Sequence, residues 1–434
     1  MSEDKLIRIN VPVLARVEGE GALDLSIRNG RIENLHLRIF EPPRLFEKFL
    51  EGRAWHEVPD IVARICGICP VAYQMSAVHA LEQIFDCDPG PWVRDMRRLF
   101  YCGEWIESHS LHIHLLAAPD FLGYGSAPEM AKDHPEAVQR GLRLQGVGNA
   151  LIKLLGGRSV HPVGVRVGGF HRAPDLRAVE DLLAKLRSAL PEAEAVVSWA
   201  ASLVATEGHE MPFTWVALRH ETEYPMNEGH IVANTGLDIL PADFETHFEE
   251  QHAPHSTALH AHLDGQPYLV GPLARLNLNH DRLPASIQAL ISQTGIKLPS
   301  TNMFQSIVAR AIEICLALHE AIRILEGYRV PDSPFAEVTP KAGTGMAATE
   351  APRGILWHRY ETSAEGLIEK AVIVPPTSQN QARIEDDLKR SLEASGFHRG
   401  DDDALRLHGE KIIRNYDPCI SCATHFLTVR IDRR

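Results

Sequence analysis

The sequence lacks a long apolar run and an excess of basic residues. No stretch approaches the roughly 18 apolar residues that a membrane-spanning helix needs, and residues 1–10 have no apolar core of the kind found in secretory signals. The formal net charge of −13 disfavours a nucleic-acid groove, because a protein that neutralises phosphates normally carries a basic patch. We therefore expect a cytoplasmic chain that neither inserts into a membrane nor binds nucleic acid.

Cysteine is also scarce, with seven residues in a chain of 434. An odd number of cysteines in a long chain without a signal argues against a disulfide framework. Four of the seven form two Cys-x-x-Cys pairs, which indicate metal binding or redox chemistry. We expect the other three, Cys87, Cys102 and Cys315, to be buried thiols.

Length and composition indicate a folded globular protein with a large core. Hydrophobic residues make up 44% of the chain and charged residues 23%, which are ordinary values for such proteins. Single cores stop growing beyond about 250–300 residues. We therefore expect one large multi-lobed domain or two closely packed domains.

The pattern of apolar residues predicts strands first and long helices afterwards. Leu6–Ile39 alternates apolar and polar residues around Asn29-Gly30, a strong hairpin signal. Helical spacing is present in the following three segments: Asp95–Leu116, Arg177–Glu207 and Met303–Leu325. Pro191 should stop or kink the second of these helices, and Lys341–Gly354 is expected to be a loop. The predicted fold class is mainly α with small β elements (α+β), a long helical core with N-terminal antiparallel strands.

Each cysteine pair places two thiols three positions apart, close enough to hold one metal ion as thiolates. The pairs lie in Arg64-Ile-Cys-Gly-Ile-Cys-Pro70 and in Asp417-Pro-Cys-Ile-Ser-Cys-Ala-Thr-His425. Four soft sulfur ligands suit zinc, nickel or iron, so a closed structural zinc site and a redox metal site both fit the spacing. Zinc ribbons usually bring such pairs together over tens of residues. These pairs lie near opposite ends of the chain, which suggests a site at the centre of the fold.

Together, the two motifs resemble the paired signature of [NiFe]-hydrogenase large subunits. The matching patterns are Arg64-x-Cys66-x-x-Cys69 and Asp417-Pro-Cys419-x-x-Cys422-x-x-His425. Four further segments resemble the family in the same order along the chain: Arg16-Val-Glu-Gly19, Arg44-Leu-Phe-Glu47, Glu350-Ala-Pro-Arg-Gly354 and Val374-Pro-Pro-Thr-Ser-Gln-Asn380. The resemblance runs from Arg16 to His425 and implies the family's fold, a large helical body with the metal deep inside it.

The resemblance implies a nickel–iron centre and, as activity, the reversible heterolytic cleavage of H2 to protons and electrons. Cys66 and Cys419 would bind nickel terminally, while Cys69 and Cys422 would bridge nickel and iron. Soft sulfur suits the changing oxidation states of nickel. The iron would carry cyanide and carbon monoxide, which no amino acid supplies, so nickel-insertion factors and other maturation proteins are implied.

The proton released by this reaction needs a path outward. The resemblance makes Cys419 the first acceptor and Glu18 the next carrier, since a carboxyl relays protons when burial brings its pKa toward the working pH. The competing interpretation is that Glu18 pairs with Arg16 on an exposed strand.

Further roles follow from the resemblance for residues around the metals. Arg353 would lie over their open face as a fixed cation, paired with a buried carboxylate such as Asp120, although Asp120 also fits a simple helix-terminal turn. The pocket for the iron's diatomic ligands would be formed by Pro352, Leu356, Pro376 and Thr377, with the Thr377 hydroxyl or nearby backbone N–H groups bonding a cyanide nitrogen.

A second metal site is also implied by the resemblance. Glu47, His425 and the backbone carbonyl of Ile373 match the family's magnesium site, which iron can also occupy. A hard ion that keeps several waters fits one carboxylate and one carbonyl. The competing interpretation of Glu47 is an exposed glutamate.

Two positions depart from the family pattern. Tyr73 stands where many members have a histidine that hydrogen-bonds a bridging sulfur, and a tyrosine hydroxyl could still donate such a bond. Residues 426–434 continue beyond His425, where an endoprotease normally trims the family after nickel insertion. We therefore expect a single domain over residues 1–425 and a C-terminal extension that maturation removes.

Partners follow from the cysteine count. Two pairs leave no ligands for the iron–sulfur clusters that carry electrons away, so a small iron–sulfur subunit is required. Pro70–Met75 and Glu41–Phe46 resemble most the cytosolic, NAD(P)-linked, bidirectional or sulfhydrogenase-like branch, which adds flavin-containing diaphorase subunits. Two alternatives remain open: a non-catalytic quinone-site subunit related to respiratory complex I, and a zinc-stabilised interaction protein.

Overall fold

Helices dominate the computed structural model, which describes residues 6–29, 31–208, 210–395 and 402–424. The helices are α1 (Phe46–Leu50), α2 (Val58–Val62), α3 (Pro70–Ile84), α4 (Gly90–Leu111), α5 (Ala118–Leu122), α6 (Ala127–Asp133), α7 (Pro135–Gly156), α8 (Leu176–Leu203), α9 (Phe244–His247), α10 (Pro272–Asn279), α11 (Ala285–Thr294), α12 (Ser306–Glu326), α13 (Pro376–Ser395), α14 (Asp402–Asn415) and α15 (Ile420–Ala423).

The strands are short and every pair is antiparallel. They are β1 (Leu6–Val11), β2 (Gly21–Arg28), β3 (Arg31–Ile39), β4 (Val165–Arg166), β5 (Gly169–Phe170), β6 (Val216–Arg219), β7 (His230–Ala233), β8 (Asp238–Ile239), β9 (Phe248–His252), β10 (Leu259–Leu263), β11 (Gly343–Ala351), β12 (Gly354–Thr362) and β13 (Ile368–Val374). The described residues form three three-stranded sheets, β1-β2-β3, β6-β7-β8 and β11-β12-β13, and two two-stranded ones, β4-β5 and β9-β10. The mainly α fold class with small sheets is therefore confirmed.

The four longest helices of the described residues, α4, α7, α8 and α12, pack into one bundle. α4 packs on α7 and α12, and α8 packs on α7 and α12. Residues 306–318 of α12 are buried without exception, so this mostly apolar helix runs through the core with Arg310 and Glu313 enclosed in it. All three predicted helices are present, and α8 continues through Pro191 without stopping. The end of α4 passes into a π-helical turn, His112–Ala117.

Gly148 allows α4 and α7 to approach backbone to backbone. A Cβ at this position would lie 2.5 Å from the backbone nitrogen of Glu107 and 2.6 Å from the carbonyl oxygen of Gly103, and neither atom can move independently of α4. We expect Gly148→Ala to lower the free energy of unfolding by about 1–3 kcal/mol, because overpacking forces the helices apart. The measurement is the thermal unfolding midpoint.

Gly146, in the same helix, provides the matched control. A Cβ there would meet nothing within 4 Å. Gly146→Ala should leave the free energy of unfolding unchanged or raise it by up to about 1 kcal/mol, because alanine favours the helix more than glycine does. The thermal unfolding midpoint should therefore stay the same or rise. Equal effects of the two substitutions would show that the close helix contact is not what requires glycine.

Two local expectations were wrong. Lys341–Gly354 is not a loop: most of it forms β11, which turns through Pro352-Arg353 into β12. Cys102 and Cys315 are buried as predicted, but Cys87 is partly exposed, after the end of α3. Within the described residues, no helix combines the length and apolar character that a bilayer crossing requires.

Candidate metal centre

The two cysteine pairs meet in the interior of the protein. The four sulfur atoms of Cys66, Cys69, Cys419 and Cys422 all lie within 4.8 Å of one another, and all four residues are buried. The sulfur atoms of Cys66 and Cys419 are 3.4 Å apart, as are those of Cys69 and Cys422. Thiols from both ends of the sequence thus surround one point.

Each pair is held in the turn that opens a helix. Cys69 immediately precedes α3, and Cys419 immediately precedes α15. The backbone N–H groups of Ile68 and Cys69 both donate to the Cys66 sulfur at 3.3 Å. Such turns point sulfur atoms and backbone donors toward a common centre, which favours negatively charged thiolates.

Glu104, a residue that the sequence did not single out, fixes the start of α3. Its carboxylate, fully buried on α4, accepts hydrogen bonds from the backbone N–H groups of Val71 and Ala72 at 2.6 and 3.1 Å. These N–H groups belong to the first turn of α3 and have no partner within the helix. Glu104 therefore locks the first cysteine pair onto the central bundle.

The pKa values of the four clustered thiols indicate a site that is suited to a cation. Hydrogen bonds, foremost the one with Cys419, lower the pKa of Cys66 well below its usual value. Burial raises the pKa of the Cys419 and Cys422 thiols. Without a cation the cluster must keep protons between its sulfurs, because adjacent thiolates repel one another in a buried site. A metal ion would replace those protons, so the donor set fits a soft transition metal.

Glu18 contacts the cluster directly. Its Oε2 lies 3.2 Å from the Cys419 sulfur and accepts a hydrogen bond from the Ser421 backbone N–H at 3.0 Å. Burial, and next the negative charge of Cys66, raise the pKa of this carboxyl. Arg16 forms no pair with Glu18 and instead binds Asp120 and the Leu116 carbonyl. The structure thus favours the predicted placement of Glu18 over an exposed ion pair.

Arg353 lies at the tip of the β11–β12 hairpin and pairs with Asp417. Its Nε donates to the Asp417 carbonyl oxygen at 2.7 Å, and its Nη2 donates to Asp417 Oδ1 at 3.0 Å. The remaining nitrogen, Nη1, is buried and has no hydrogen-bond partner among the described residues. A buried cationic donor without a partner, beside this cluster, is available to a ligand.

The predicted pairing of Arg353 with Asp120 is wrong. Asp120 binds Arg16 and Arg414, with Arg414 Nε at 2.6 Å from Oδ2. Asp120 therefore ties α5 to α14 and to the N-terminal segment. The carboxylate that pairs with Arg353 comes from Asp417, in the motif of the second cysteine pair, which carries a positive φ of 53° before Pro418.

Of the predicted pocket residues, Thr377 contacts the second cysteine pair, and the others lie on β12, in the hairpin turn and at the start of α13. Thr377, in the first turn of α13, accepts the Cys419 backbone N–H at 3.0 Å, which leaves its own hydroxyl proton available. Leu356 is buried on β12 and its carbonyl accepts from Ser76 at 3.0 Å. Pro352 precedes Arg353 in the hairpin turn, and Pro376 begins α13.

Two of the three predicted ligands of the second metal lie together. The Glu47 carboxylate accepts the Ile373 backbone N–H at 2.7 Å. His425 lies outside the described residues. Arg44, whose importance the sequence did not reveal, donates to the carbonyl oxygens of Ile65 and Ser421, each one residue from a cysteine. It holds the two cysteine motifs side by side.

Tyr73 lies on α3, one turn after the first cysteine pair. The residue is only 1% exposed, and its hydroxyl has no hydrogen-bond partner in the described part of the chain. Burial, and next the negative charges of Cys422 and Cys69, raise its pKa well above the usual value. The phenol is therefore protonated and free to donate.

Comparison with known proteins identifies the family. A family model for nickel-dependent hydrogenases matches residues 44–142 and 232–425. The chain belongs to the nickel-dependent hydrogenase family. The alpha chain of sulfhydrogenase 1 of Pyrococcus furiosus is 32% identical over 96% of this chain and 97% of its own length. The matching chain of the F420-non-reducing hydrogenase of Methanothermobacter thermautotrophicus is 31% identical over 97% of this chain and 95% of its own.

Solved hydrogenase structures share the fold. The crystal structure of an NAD+-reducing [NiFe]-hydrogenase in the H2-reduced state superposes with a TM-score of 0.89 at 26% identity, over 98% of this chain and 100% of that one. The Ni-Fe-Se hydrogenase of D. vulgaris Hildenborough gives a TM-score of 0.80 at 23% identity, over 97% of this chain and 100% of that one. The hydrogenase is therefore an oxidoreductase with a large-subunit fold, and the quinone-site and zinc-protein alternatives lose their support.

Proposed function

We propose that the cysteine cluster of this hydrogenase holds the nickel–iron centre at which H2 is split. Cys66, Cys69, Cys419 and Cys422 would hold the nickel and iron as thiolate ligands, and the iron would carry cyanide and carbon monoxide. The convergence of four buried thiols on one point supports this assignment. When bound, the centre cleaves H2 heterolytically and catalyses the reverse reaction.

The protein's own residues handle the proton. Cys419 accepts it, and Glu18 receives it over a sulfur–oxygen distance of 3.2 Å. A carboxyl with a raised pKa gains and loses protons near neutral pH more readily than an ordinary one. Arg353 keeps a positive charge beside the cysteine cluster, and its buried, unpartnered Nη1 would be available to a group bound there. Asp120 acts through the N-terminal segment, because it holds Arg16 two residues from Glu18.

One polar residue and three apolar residues would form the pocket around the iron. The Thr377 hydroxyl, which accepts from Cys419 N–H, would have its own proton free to donate to a cyanide nitrogen. Pro352, Leu356 and Pro376 line the rest of this pocket without competing donors. At the second site, Glu47, the Ile373 carbonyl and His425 would hold magnesium or iron, and the hydrogen bond from the Ile373 backbone N–H to Glu47 supports the proximity of the first two residues.

Partners complete the enzyme. A small subunit with iron–sulfur clusters takes the electrons, and flavin-containing diaphorase subunits pass them to NAD(P) in the cytoplasm. Similarity to an NAD+-reducing hydrogenase and to the alpha chain of a sulfhydrogenase supports this branch. Nickel-insertion factors load a single domain of residues 1–425, and an endoprotease then removes residues 426–434.

Replacing a ligand tests the metal assignment. Cys66→Ser should reduce bound nickel by at least 10–100-fold, roughly the loss seen when even a supporting partner of a ligand is removed. Cys87→Ser is the control, since Cys87 is a partly exposed thiol outside the cluster. Nickel and iron are counted in protein matured with its partners. Full nickel in Cys66→Ser would contradict the assignment.

The Tyr73 hydroxyl, which has no partner among the described residues, would tune the loaded centre by donating to one of its sulfurs. Tyr73→Phe removes the hydroxyl and keeps the ring, so the metals should stay bound while the cyanide and carbonyl infrared bands shift. A lost hydrogen bond makes a thiolate a stronger donor to its metal. Tyr101→Phe is the control, because the Tyr101 hydroxyl donates to Thr349 instead. Infrared bands that are unchanged in Tyr73→Phe would remove Tyr73 from the centre.

A further inference from the structure

A second cluster of metal-ligating side chains lies outside the cysteine centre. His36 on β3, His255 between β9 and β10, and Glu385 on α13 place their ligand atoms within 4.8 Å of one another. Among the described residues, this cluster and the four cysteines are the two that gather three or more such atoms. The comparisons and the hydrogen chemistry assign no role to it.

The three side chains already contact one another. His255 Nε2 and Glu385 Oε1 are 2.8 Å apart, and the His36 and His255 rings face each other with centroids 4.1 Å apart. The Leu37 backbone N–H donates to the same Glu385 oxygen at 2.8 Å, which fixes the carboxylate beside β3. His36 Nδ1 is buried and has no hydrogen-bond partner in the part of the chain that the structure describes.

The scaffold around the cluster is held by contacts that need no metal. Thr257 donates its backbone N–H to the Ile39 carbonyl at 2.8 Å and its hydroxyl to the Glu41 carbonyl at 2.9 Å. These bonds tie the β9–β10 connection to the end of β3. α13 packs on both β3 and β10. The ligand-bearing segments are therefore positioned in advance, which lowers the entropic cost of binding.

A fourth imidazole lies next to the carboxylate. His260 on β10 is buried, its Nδ1 is 3.9 Å from Glu385 Oε2, and its Nε2 has no partner among the described residues. The His260 ring also lies against the His255 ring, with centroids 5.5 Å apart.

We propose that His36, His255 and Glu385 bind a divalent transition-metal ion such as Zn²⁺, at a site separate from the cysteine centre. Two imidazole nitrogens and one carboxylate oxygen suit zinc. They do not suit magnesium or calcium, which prefer ligand sets made of oxygen atoms. Bonds of about 2.0–2.2 Å place ligand atoms roughly 3.3 Å apart, so small side-chain rotations close the site. A neutral imidazole ligates through the nitrogen that carries no proton, so a His255 that binds zinc through Nε2 carries its proton on Nδ1, and water completes the coordination.

The site would clamp the N-terminal sheet and the β9–β10 hairpin onto α13. Thr377, in the first turn of α13, bonds the Cys419 backbone. Zinc therefore stabilises the helix that supports the second cysteine pair without touching the catalytic metals.

The test adds Zn²⁺ to the matured holoenzyme, whose cysteines are already occupied. Wild-type protein should bind one further equivalent of zinc, and X-ray absorption at the zinc edge should show nitrogen and oxygen neighbours near about 2.0 Å without sulfur. His255→Gln and His36→Gln should each weaken zinc binding by at least about 10-fold. His230→Gln is the control, because His230 is exposed and pairs with Asp238 elsewhere.

Both cluster variants, His255→Gln and His36→Gln, are tested, so that one of them still gives a result if the other fails to fold. Zinc should also raise the thermal unfolding midpoint of wild-type protein and of His230→Gln, but not of His36→Gln. No additional zinc in wild-type protein, sulfur neighbours in the absorption spectrum, or undiminished binding in both cluster variants would each overturn the site.

Discussion

Glu18→Gln is expected to suppress exchange between H2 and solvent deuterons by about 10²–10⁴-fold, the range lost with a positioned general acid–base. Glutamine keeps the shape of the side chain and can still accept the Ser421 N–H, but it carries no titratable proton. Nickel and iron should remain bound, because Glu18 contacts the Cys419 sulfur without being a ligand. Mass-spectrometric exchange in heavy water, together with metal analysis, measures both results.

Glu20→Gln is the matched control for this result. Glu20 lies two residues further along the chain and is exposed, so its substitution should leave exchange unchanged. Glu107 offers the rival route: it is buried on α4, and burial raises its pKa to about 7. Normal exchange in Glu18→Gln with slow exchange in Glu107→Gln would move the proton path to α4.

Arg275→Met is expected to destabilise the protein by about 3–5 kcal/mol, since it leaves buried carboxylates without their cation. Arg275 on α10 is completely buried and binds Glu313 through Nε at 2.7 Å and Nη2 at 2.8 Å. Its third nitrogen binds Glu350 and donates to the Ala351 carbonyl at 2.9 Å. Despite the cost of burial, the charge of Arg275 lowers the pKa of Glu313 to about 2.

This ion-pair network also reaches the metal centre. Glu313 contacts His109 at 2.8 Å, His109 contacts Arg310 at 3.2 Å, and Arg310 contacts Asp417 at 3.0 Å. Glu350 lies in the strand that leads to Arg353. Arg275→Met should therefore lower hydrogenase activity as well as the thermal unfolding midpoint.

Arg187→Met is the control for the stability effect. Arg187 pairs with Glu326 on the surface, and both side chains are about half exposed. Such pairs contribute about 0–1 kcal/mol, so the midpoint should hardly change. If Arg187→Met lowered the midpoint as much as Arg275→Met does, burial of the Arg275 network would not explain its contribution to stability.

The convergence of the four cysteines was predictable because it is encoded locally. Each Cys-x-x-Cys pair brings two sulfurs together within one turn, and two pairs in one chain need only a single meeting point. Glu18 followed from its place in a short motif. The predicted helices also agreed with the structure, since the apolar periodicity of a segment such as Met303–Leu325 reports burial directly.

The partners of Arg353 and Asp120 were not predictable in the same way. A buried ion pair joins residues far apart in sequence, and many arginines and carboxylates satisfy the same local pattern. Asp417 was visible as part of a motif, but nothing in its spacing showed that its carboxylate binds both Arg353 and Arg310. Only the fold selects among such pairs.

The strand β11 shows how tertiary packing overrides local preference. Gly343–Ala351 contains glycine and alanine, which are poor strand formers, and the sequence favoured a loop. In the structure a Cβ at Gly345 would lie 2.1 Å from the Ala80 carbonyl oxygen of α3. The small residues let this strand lie directly on α3, and pairing with β12 supplies its hydrogen bonds.

Metal content combined with infrared spectroscopy of the large subunit, matured in its host with its partners, examines the nickel–iron assignment without any mutation. Nickel and iron in near-equal amounts, with cyanide and carbonyl stretching bands, are the predicted result. Zinc alone in the fully matured protein, without those bands, would contradict a nickel–iron centre on Cys66, Cys69, Cys419 and Cys422.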